Sequence, residues 1–274
     1  MSTEKIWFVT GAAGGLGLAL VRMLLDQGGG YVAATADDVD VLMEAVGAKL
    51  EGRFLPLEVN LADEGNVRRA VDTAIAAFGR IDVVVNHAGQ GLSGPLEALS
   101  DEALRGSFDI NVFGVLNVVR AVMPRLRAQR AGHVFNISSI LGFDGGRAGW
   151  GAYSAAKFAV SGLTEALALE AAPHGVRVSL VYPGAMRAGA EEIGGHPEAG
   201  QAAAAGHPAA GDPAKAARAL IQAADAQYAP LHLFLGRDAF DQARGKIQSV
   251  QQELARWREM SVSIGFVDER RMAA

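Results

Sequence analysis

Short apolar runs alternate with longer amphipathic stretches along most of this chain. Seven runs have the length and the content of valine, isoleucine and phenylalanine that are typical of β-strands: Ile6–Val9, Tyr31–Ala36, Phe54–Val59, Ile81–Val85, His133–Ile137, Val176–Val181 and Leu231–Leu235. Runs as continuously apolar as Ile81–Val85 indicate strands buried on both faces of a parallel sheet. The pattern predicts an α/β fold, a doubly wound parallel seven-stranded sheet with helices on both faces.

Helices are predicted between these strands by apolar residues at spacings of three and four. One helix is expected around residues 38–50, and Asp63, Ser100 and Asp212 are expected to cap three others, the second of which runs through Leu126. After the last strand, the same spacing predicts an extra C-terminal helix that carries Phe240, Ala243, Ile247, Val250, Leu254 and Trp257.

The composition narrows the class of protein. With 274 residues, half of them hydrophobic, the chain is long enough for one large α/β domain. A net charge of −5 argues against a nucleic-acid surface, and the lack of cysteine excludes disulfides and thiolate nucleophiles. The N-terminus has no apolar core of signal-peptide length and no run reaches the length of a membrane span. We therefore expect a cytoplasmic protein with no membrane contact.

A glycine-rich turn, Thr10–Gly17, follows the first predicted strand and precedes an apolar helix. Glycines at positions 11, 15 and 17 allow a sharp turn and a close approach of a phosphate group to the backbone. The unpaired N–H groups at the start of the helix then make an anion site. A turn that only allows tight packing of strand and helix is the alternative, and nucleotide binding is the favoured interpretation.

Tyr153 and Lys157 stand four residues apart, so a helix places the phenol and the ammonium on one face. The ammonium stabilises the phenolate, which moves the pKa of the tyrosine toward values useful for proton transfer to an alcohol or ketone. By itself this spacing is common on surface helices.

The chain up to about residue 236 resembles a single-domain short-chain dehydrogenase/reductase, a family with a Rossmann-type fold. The resemblance rests on six short motifs in the family's order: Thr10-Gly11-x3-Gly15-x-Gly17, Asn86-His87-Ala88-Gly89, Asn111, Ile137-Ser138-Ser139, Tyr153-x3-Lys157 and Pro183-Gly184. It implies nicotinamide-dependent oxidation of an alcohol or reduction of a ketone. The alternative is a dinucleotide-binding regulator or scaffold that keeps the fold without catalysis.

The resemblance also implies roles for four residues. Tyr153 exchanges a proton with the substrate oxygen, and Lys157 lowers the pKa of Tyr153 and binds the nicotinamide ribose. Ser139 donates a hydrogen bond to the same oxygen, and Asn111 orders a water linked to Lys157. Ser139 is preferred to Ser138 because it requires a loop only one residue longer than is usual in the family.

The same resemblance implies a set of cofactor-binding residues: Gly11, Gly15, Leu16, Gly17, Asp37, Asn60, Leu61, Asn86, Ala88, Gly89, Tyr153, Lys157, Pro183, Gly184 and Met186. NAD is favoured over NADP, because Gly14 and Asp37 occupy places where relatives that bind the 2′-phosphate usually carry a basic residue. Alternatively, Asp37 is only a helix cap.

Three positions depart from the family's pattern. Asn60 stands where relatives often have an aspartate that accepts a hydrogen bond from the adenine amino group. His87 stands where they have an asparagine, and it is expected to be a packed or solvent-facing loop residue. Ala188 replaces a threonine that commonly holds the nicotinamide carboxamide.

The substrate is expected to be a hydrophobic alcohol or ketone. The residues expected to face it are mainly apolar: Gln90, Leu92, Leu141, Phe143, Trp150 and Met186. Residues 187–211 are expected to form a lid, and their histidines, His196 and His207, lack the neighbours of a metal site. Residues 1–236 are expected to form the catalytic domain and 237–274 a helical extension packed on it or on a partner subunit, in a homodimer or homotetramer.

Overall fold

A single parallel sheet organises the chain. The computed structural model describes residues 4–26, 28, 30–47, 52–186 and 211–265. Its seven strands lie in the order β3-β2-β1-β4-β5-β6-β7. They are β1 (Lys5–Val9), β2 (Gly30–Ala36), β3 (Phe54–Glu58), β4 (Val83–Asn86), β5 (Gly132–Ile137), β6 (Val176–Pro183) and β7 (His232–Leu235). The predicted doubly wound sheet is confirmed, with every strand near its expected position.

Helices connect the strands: α1 (Gly15–Asp26), α2 (Val39–Val46), α3 (Glu64–Phe78), α4 (Asp101–Phe108), α5 (Gly114–Gln129), α6 (Gly151–Ala171), α7 (Pro213–Asp225), α8 (Arg237–Arg256) and α9 (Arg258–Val262). The three predicted caps are confirmed, since Asp63, Ser100 and Asp212 each accept a backbone N–H of the following turn. Residues 48–50 of the predicted second helix lie outside the described residues.

Each face of the sheet is covered by its own hydrophobic cluster. In β1, Trp7 and Val9 point to the face covered by α1, α2 and α7, and Phe8 points to the face covered by α3, α5 and α6. Side chains alternate along a strand, so a central strand with both faces covered must be apolar throughout. This explains the continuous apolar runs of the sequence.

The prediction of one regular helix from Ser100 through Leu126 was wrong in its middle. Between α4 and α5, residues Asp109–Phe113 form a π-helical turn, and the N–H of Gly114 bonds to the carbonyl oxygen of Asp109. The side-chain amide of Asn111 donates to the carbonyl oxygen of Ser107 at 2.9 Å. Such widened turns often occur at functional sites.

β1 lies between β2 and β4, so successive strands are added on one side of β1 up to β3 and on its other side from β4 onward. The loops that follow β1 and β4 are therefore neighbours, and the N–H of Thr10 donates to the carbonyl oxygen of Val85 at 3.0 Å. Ligands of open parallel sheets bind beyond the carboxyl ends of the strands at such a reversal.

The C-terminal helix α8 packs on the domain only at its start. Ala239 and Ala243 are buried against Ile140 and Leu141 of the turn after β5. Every residue from Arg244 to Gly265 is exposed. The predicted extension therefore packs on its own domain over its first two turns and extends away from it afterwards.

One described stretch, Asp101–Gln129, is long and apolar enough to cross a membrane by length and composition alone, contrary to the expectation that no run reaches that length. Half of its apolar window is buried inside the protein. Val118, Val122 and Leu126 of α5 belong to the core beside the sheet. Because these side chains pack beside the sheet, the stretch is only weak evidence for a membrane span.

Candidate active site

Two clefts open at the carboxyl ends of the strands and meet at His87 and Gly89, which line both. The larger cleft has a volume of about 750 Å³ and is lined by the loops that follow β1 to β4. The smaller cleft, about 230 Å³, is lined by the start of α1, the loops after β5 and β6, and the first turns of α6. Their shared wall makes one continuous groove along the sheet edge.

The glycine turn after β1 is held against the loop after β4. The hydroxyl oxygen of Thr10 accepts from the backbone N–H groups of His87 (3.1 Å) and Ala88 (3.2 Å). Gly11 has a left-handed backbone (φ 63°), and a Cβ there would lie 2.6 Å from Cα of Ala88. Helix α1 then begins at Gly15, which lines the smaller cleft and presents unpaired N–H groups suited to an anion.

The far end of the larger cleft is acidic. Asp37, Glu58 and Asp63 line it, and no lysine or arginine among the described residues does. Asp38 caps α2, because its carboxylate accepts the backbone N–H groups two and three residues later, at 2.8 and 3.1 Å. The alternative role of Asp37 as a helix cap is therefore wrong, and Asp37 lines the cleft instead.

Asn60 and Leu61 also line the larger cleft. The side-chain oxygen of Asn60 accepts from the N–H of Ala62 at 3.0 Å, and the backbone N–H of Asn60 donates to the side chain of Asn66 at 2.7 Å. Asn60 thus shapes the turn after β3. Its carbonyl oxygen has a second lone pair for a donor in the cleft.

Ser139, Tyr153 and Lys157 all line the smaller cleft. Tyr153 and Lys157 lie one turn apart on α6, with the Nζ atom of Lys157 5.6 Å from the centroid of the tyrosine ring. Lys157 is buried, and its Nζ donates to the carbonyl oxygen of Ile137 at 3.1 Å. The fold brings the three side chains together as expected, and their catalytic roles stay predictions.

Asn111 is buried in the π turn and lines neither cleft. Its side-chain amide donates to the carbonyl oxygens of Gln90 and Ser107, both at 2.9 Å. Its Oδ1 atom has no hydrogen-bond partner, and it points at Gly89, where an added Cβ would lie 2.6 Å from this Oδ1 and 3.0 Å from Nζ of Lys157. A buried acceptor beside an ammonium is a suitable partner for an ordered water.

The two neighbouring serines have different surroundings. The hydroxyl of Ser138 donates to the carbonyl oxygen of Lys157 at 3.0 Å and lies 3.2 Å from the hydroxyl of Ser161, so it connects the end of β5 to α6. The hydroxyl oxygen of Ser139 accepts the N–H of Leu141 at 3.2 Å, which leaves its own proton for another acceptor. This geometry favours Ser139 as the donor to a substrate.

Two residues predicted to touch the cofactor lie beneath the clefts instead. Asn86 is buried, and its amide donates to the side-chain oxygen of Asn136 at 2.7 Å, which joins β4 to β5. A Cβ at Gly17 would lie 2.5 Å from the carbonyl oxygen of Gly11, so this glycine allows α1 to pack on the turn. The other predicted cofactor residues all line one of the clefts: Gly11, Asp37, Asn60, Leu61, Ala88 and Gly89 the larger, and Gly15, Leu16, Gly89, Tyr153, Lys157, Pro183, Gly184 and Met186 the smaller.

The predicted substrate-facing residues divide in the same way. Trp150 and Met186 line the smaller cleft and Gln90 the larger, whereas Leu92 lines neither. The predictions for Leu141 and Phe143 were wrong, because both pack under the start of α8. The ring of Phe143 meets Phe234 edge-on, with centroids 5.2 Å apart.

Residues 187–210 of the expected lid lie outside the described residues. They include Ala188, His196 and His207. Within the described ranges, no group of three or more histidine, aspartate or glutamate side chains is placed to hold a metal ion.

His87 and Glu58 are among the lining residues that the sequence did not predict as part of the site. His87 lies where the clefts meet, with its Nδ1 atom 3.0 Å from the carbonyl oxygen of Gly11. Glu58 ends β3 and lines the larger cleft beside Asp37. The signal for both is their position, since each stands at or just after the end of a parallel strand.

Comparison with known proteins agrees with this geometry. The family profile described as "short chain dehydrogenase" matches residues 5–193. The chain belongs to the short-chain dehydrogenase family. An oxidoreductase of Botryotinia fuckeliana (strain B05.10), "Oxidoreductase BOA17", is 32% identical over 94% of this chain and 98% of its own length.

Two solved structures of relatives extend the comparison. A short-chain dehydrogenase from Streptomyces avermitilis is 35% identical, with a TM-score of 0.87 over 95% of this chain and 98% of that one. A short-chain dehydrogenase from Burkholderia cenocepacia J2315, solved in complex with NADP, is 29% identical, with a TM-score of 0.75 over 92% of this chain and 96% of that one. This dehydrogenase is therefore a Rossmann-type member of an oxidoreductase family that binds nicotinamide nucleotides.

Proposed function

We propose that this dehydrogenase transfers a hydride between NAD(H) and a hydrophobic secondary alcohol or ketone, with Tyr153 as general acid and base. The observation that carries the proposal is that Ser139, Tyr153 and Lys157 line one cleft, which joins the cleft of the glycine turn at Gly89. A proton-transfer group and a nucleotide site must meet in this way for hydride and proton to reach the same substrate.

The cofactor fits the residues present. The start of α1 at Gly15 and Leu16 would hold the pyrophosphate, and Asp37 with Asn60 and Leu61 would hold the adenosine end. Pro183, Gly184 and Met186 would flank the nicotinamide end in the smaller cleft. When bound, the nicotinamide ring would supply or accept the hydride.

The protein's own part is to move and hold protons. In the reducing direction, the hydroxyl of Tyr153 gives its proton to the substrate oxygen, and the ammonium of Lys157 stabilises the phenolate that is left. The hydroxyl of Ser139 donates to the same oxygen, where negative charge develops. The phenolate of Tyr153 then regains its proton from solvent through Lys157 and a water held by the unpaired Oδ1 of Asn111.

The preference for NAD over NADP is supported by charge. The larger cleft is lined by Asp37, Glu58 and Asp63 and, in its described part, by no lysine or arginine. A carboxylate accepts a hydrogen bond from a ribose 2′-hydroxyl and repels a 2′-phosphate. The Burkholderia relative was solved in complex with NADP, so the preference of this protein needs a direct test.

A hydrophobic substrate is supported by the indole of Trp150 and the side chain of Met186, which line the smaller cleft with Ile137. Apolar walls with a few convergent polar groups suit an apolar ketone better than a sugar or a charged acid.

We also propose that the protein acts in the cytoplasm.

The test is turnover of a panel of hydrophobic ketones with NADH by the native protein and by Tyr153→Phe. We expect Tyr153→Phe to lower kcat/KM by about 10²- to 10⁴-fold while NADH still binds, because only the proton donor is lost. Tyr228→Phe is the matched control, since Tyr228 is 85% exposed and should leave turnover unchanged. Equal turnover by Tyr153→Phe contradicts the mechanism. A native protein that binds NADH and reduces nothing in the panel favours the regulator instead.

A further inference from the structure

The imidazole of His87 contacts both the first and the last glycine of the turn after β1. Its Nδ1 atom lies 3.0 Å from the carbonyl oxygen of Gly11. The ring also lies against Gly17, where an added Cβ would be 2.7 Å from the same Nδ1. The side chain of His87 therefore occupies space that the turn leaves open only because residue 17 is a glycine.

The contact with Gly11 fixes the tautomer of His87. A backbone carbonyl oxygen can only accept a hydrogen bond, so Nδ1 carries the proton and donates it. In the opposite direction, the hydroxyl oxygen of Thr10 accepts the backbone N–H of His87 at 3.1 Å. One residue of the loop after β4 thus bonds to two consecutive residues of the turn after β1, once through its side chain and once through its backbone.

The turn held in this way crosses the boundary between the two clefts. Gly14 lines the larger cleft and Gly15 lines the smaller one, whereas His87 lines both. A ligand that reaches both clefts and places an anionic group at the start of α1 must pass over this boundary. The bond from His87 to Gly11 lies where the two halves of such a ligand are joined.

We propose that His87 is a positioning residue for the dinucleotide: through its bond to Gly11, it holds the glycine turn where the pyrophosphate can bridge the two clefts. The inference rests on the cofactor site of the proposed function and is independent of proton transfer by Tyr153. Displacement of the turn weakens the binding of a dinucleotide more than that of a mononucleotide, because only the dinucleotide needs both clefts in the correct relative position.

Asparagine, the residue of the family's pattern at this position, separates the bond to the turn from a direct contact between the ring and the nucleotide. The amide nitrogen of asparagine is attached to Cγ, as Nδ1 is in histidine, so it can donate to the carbonyl oxygen of Gly11 from the same place. It has neither the aromatic ring nor the second ring nitrogen. If His87 acts through Gly11, asparagine replaces it; if the ring itself binds the nucleotide, asparagine does not.

The test is isothermal titration calorimetry of the full-length protein with NADH, which spans both clefts, and with AMP, which fits the adenosine end alone. We expect His87→Leu to raise the Kd for NADH about five- to tenfold and that for AMP less than about twofold, because a hydrogen bond that holds the turn is lost. His87→Asn should keep the native Kd for NADH. His174→Leu makes the same exchange just before β6, outside the lining of both clefts, and should change neither constant.

Thr10→Val tests the same contact from the other loop, because it removes the acceptor of the His87 backbone N–H, and it should give the same selective loss for NADH. Far-UV circular dichroism checks the folding of each variant. The proposal is overturned if His87→Leu binds NADH as tightly as the native protein does, if it loses AMP as strongly as NADH, or if His87→Asn is as weak as His87→Leu. These titrations contain no ketone, so a native protein that binds NADH and reduces no ketone contradicts the proposed function alone.

Discussion

The carboxylate of Asp238, at the start of α8, accepts the backbone N–H of Ala185 at 2.7 Å. Ala185 belongs to the loop after β6 that brings Gly184 and Met186 to the smaller cleft. The same carboxylate also packs tightly against Gly184, because a Cβ added to that glycine would overlap with the carboxylate oxygens. The C-terminal extension therefore holds the loop at which we place the nicotinamide end of the cofactor.

Removal of this contact should weaken cofactor binding. We expect Asp238→Ala to raise the KM for NADH several-fold and to lower the free energy of unfolding by about 1–3 kcal/mol, because the loop loses a hydrogen bond to a charged group. Asp238→Asn keeps an acceptor oxygen and should recover most of the loss. Asp241→Ala on the exposed side of α8 is the control. An unchanged KM in Asp238→Ala would show that the loop holds its position without this carboxylate.

The two serines after β5 should separate catalysis from stability. We expect Ser139→Ala to lower kcat by about 10²-fold or more with little change in stability, because a donor to the developing negative charge is lost. Ser138→Ala should instead lower the unfolding free energy by about 1–2 kcal/mol, since it removes the bond to the carbonyl oxygen of Lys157. Initial rates and urea unfolding of both variants make the measurement. The reverse pattern would reassign the donor to Ser138.

Cofactor preference should follow the charge at position 37. We expect Asp37→Arg to shift the ratio of kcat/KM values toward NADPH by at least about tenfold, because a repelling carboxylate becomes a partner for the 2′-phosphate. Asp40→Arg makes the same change of charge on α2 outside the lining of the larger cleft and should shift the ratio much less. Equal shifts in the two variants would mean that the cofactor preference depends on the overall electrostatic field of the protein and not on the position of residue 37.

Acid should destabilise the protein through His133. Burial, and then the charges of Arg177 and Lys5, lower the pKa of His133 from 6.5 to about 3. The unfolded chain therefore takes up a proton below pH 6.5 that the folded protein refuses until about pH 3. His133 contributes its full stability above pH 6.5, and the contribution falls by roughly 1.4 kcal/mol per pH unit below that value.

The measurement compares native protein and His133→Gln by urea unfolding between pH 7 and pH 5. Glutamine can still bond to the hydroxyl of Ser179, which lies 2.9 Å from Nε2 of the histidine, but it does not titrate in this range. The difference in unfolding free energy between the two proteins should shrink as the pH falls. Parallel pH dependences would place the acid sensitivity elsewhere.

The sequence predicted the sheet well because its central strands have both faces covered. Val83, Val84 and Val85 of β4 are all buried, so the run is apolar whichever way each side chain points. The placement of Tyr153 beside Lys157 was equally predictable, since one turn of α6 fixes the relation of the two side chains.

Other features depend on contacts between distant parts of the chain. Leu141 and Phe143 follow Ser139 closely, but only the arrival of α8 decides that they face a core instead of a ligand. The π turn at Asn111 depends on side-chain bonds to Ser107 and Gln90, which no apolar spacing reveals. Asn86 has the place of a ligand contact in its motif, and its bond to Asn136 becomes visible only when β4 and β5 are paired.

The order of the strands along the chain sets the order in which the residues of the two clefts are synthesised. β1, β2 and β3 lie within the first 58 residues, β4 ends at Asn86, and the lining of the larger cleft is complete at Ile110. Ser139, Tyr153 and Pro183 emerge later, so the smaller cleft is finished only after β6 is made. The cleft at which we place the adenosine end of the cofactor is therefore made before the cleft at which we place the reaction.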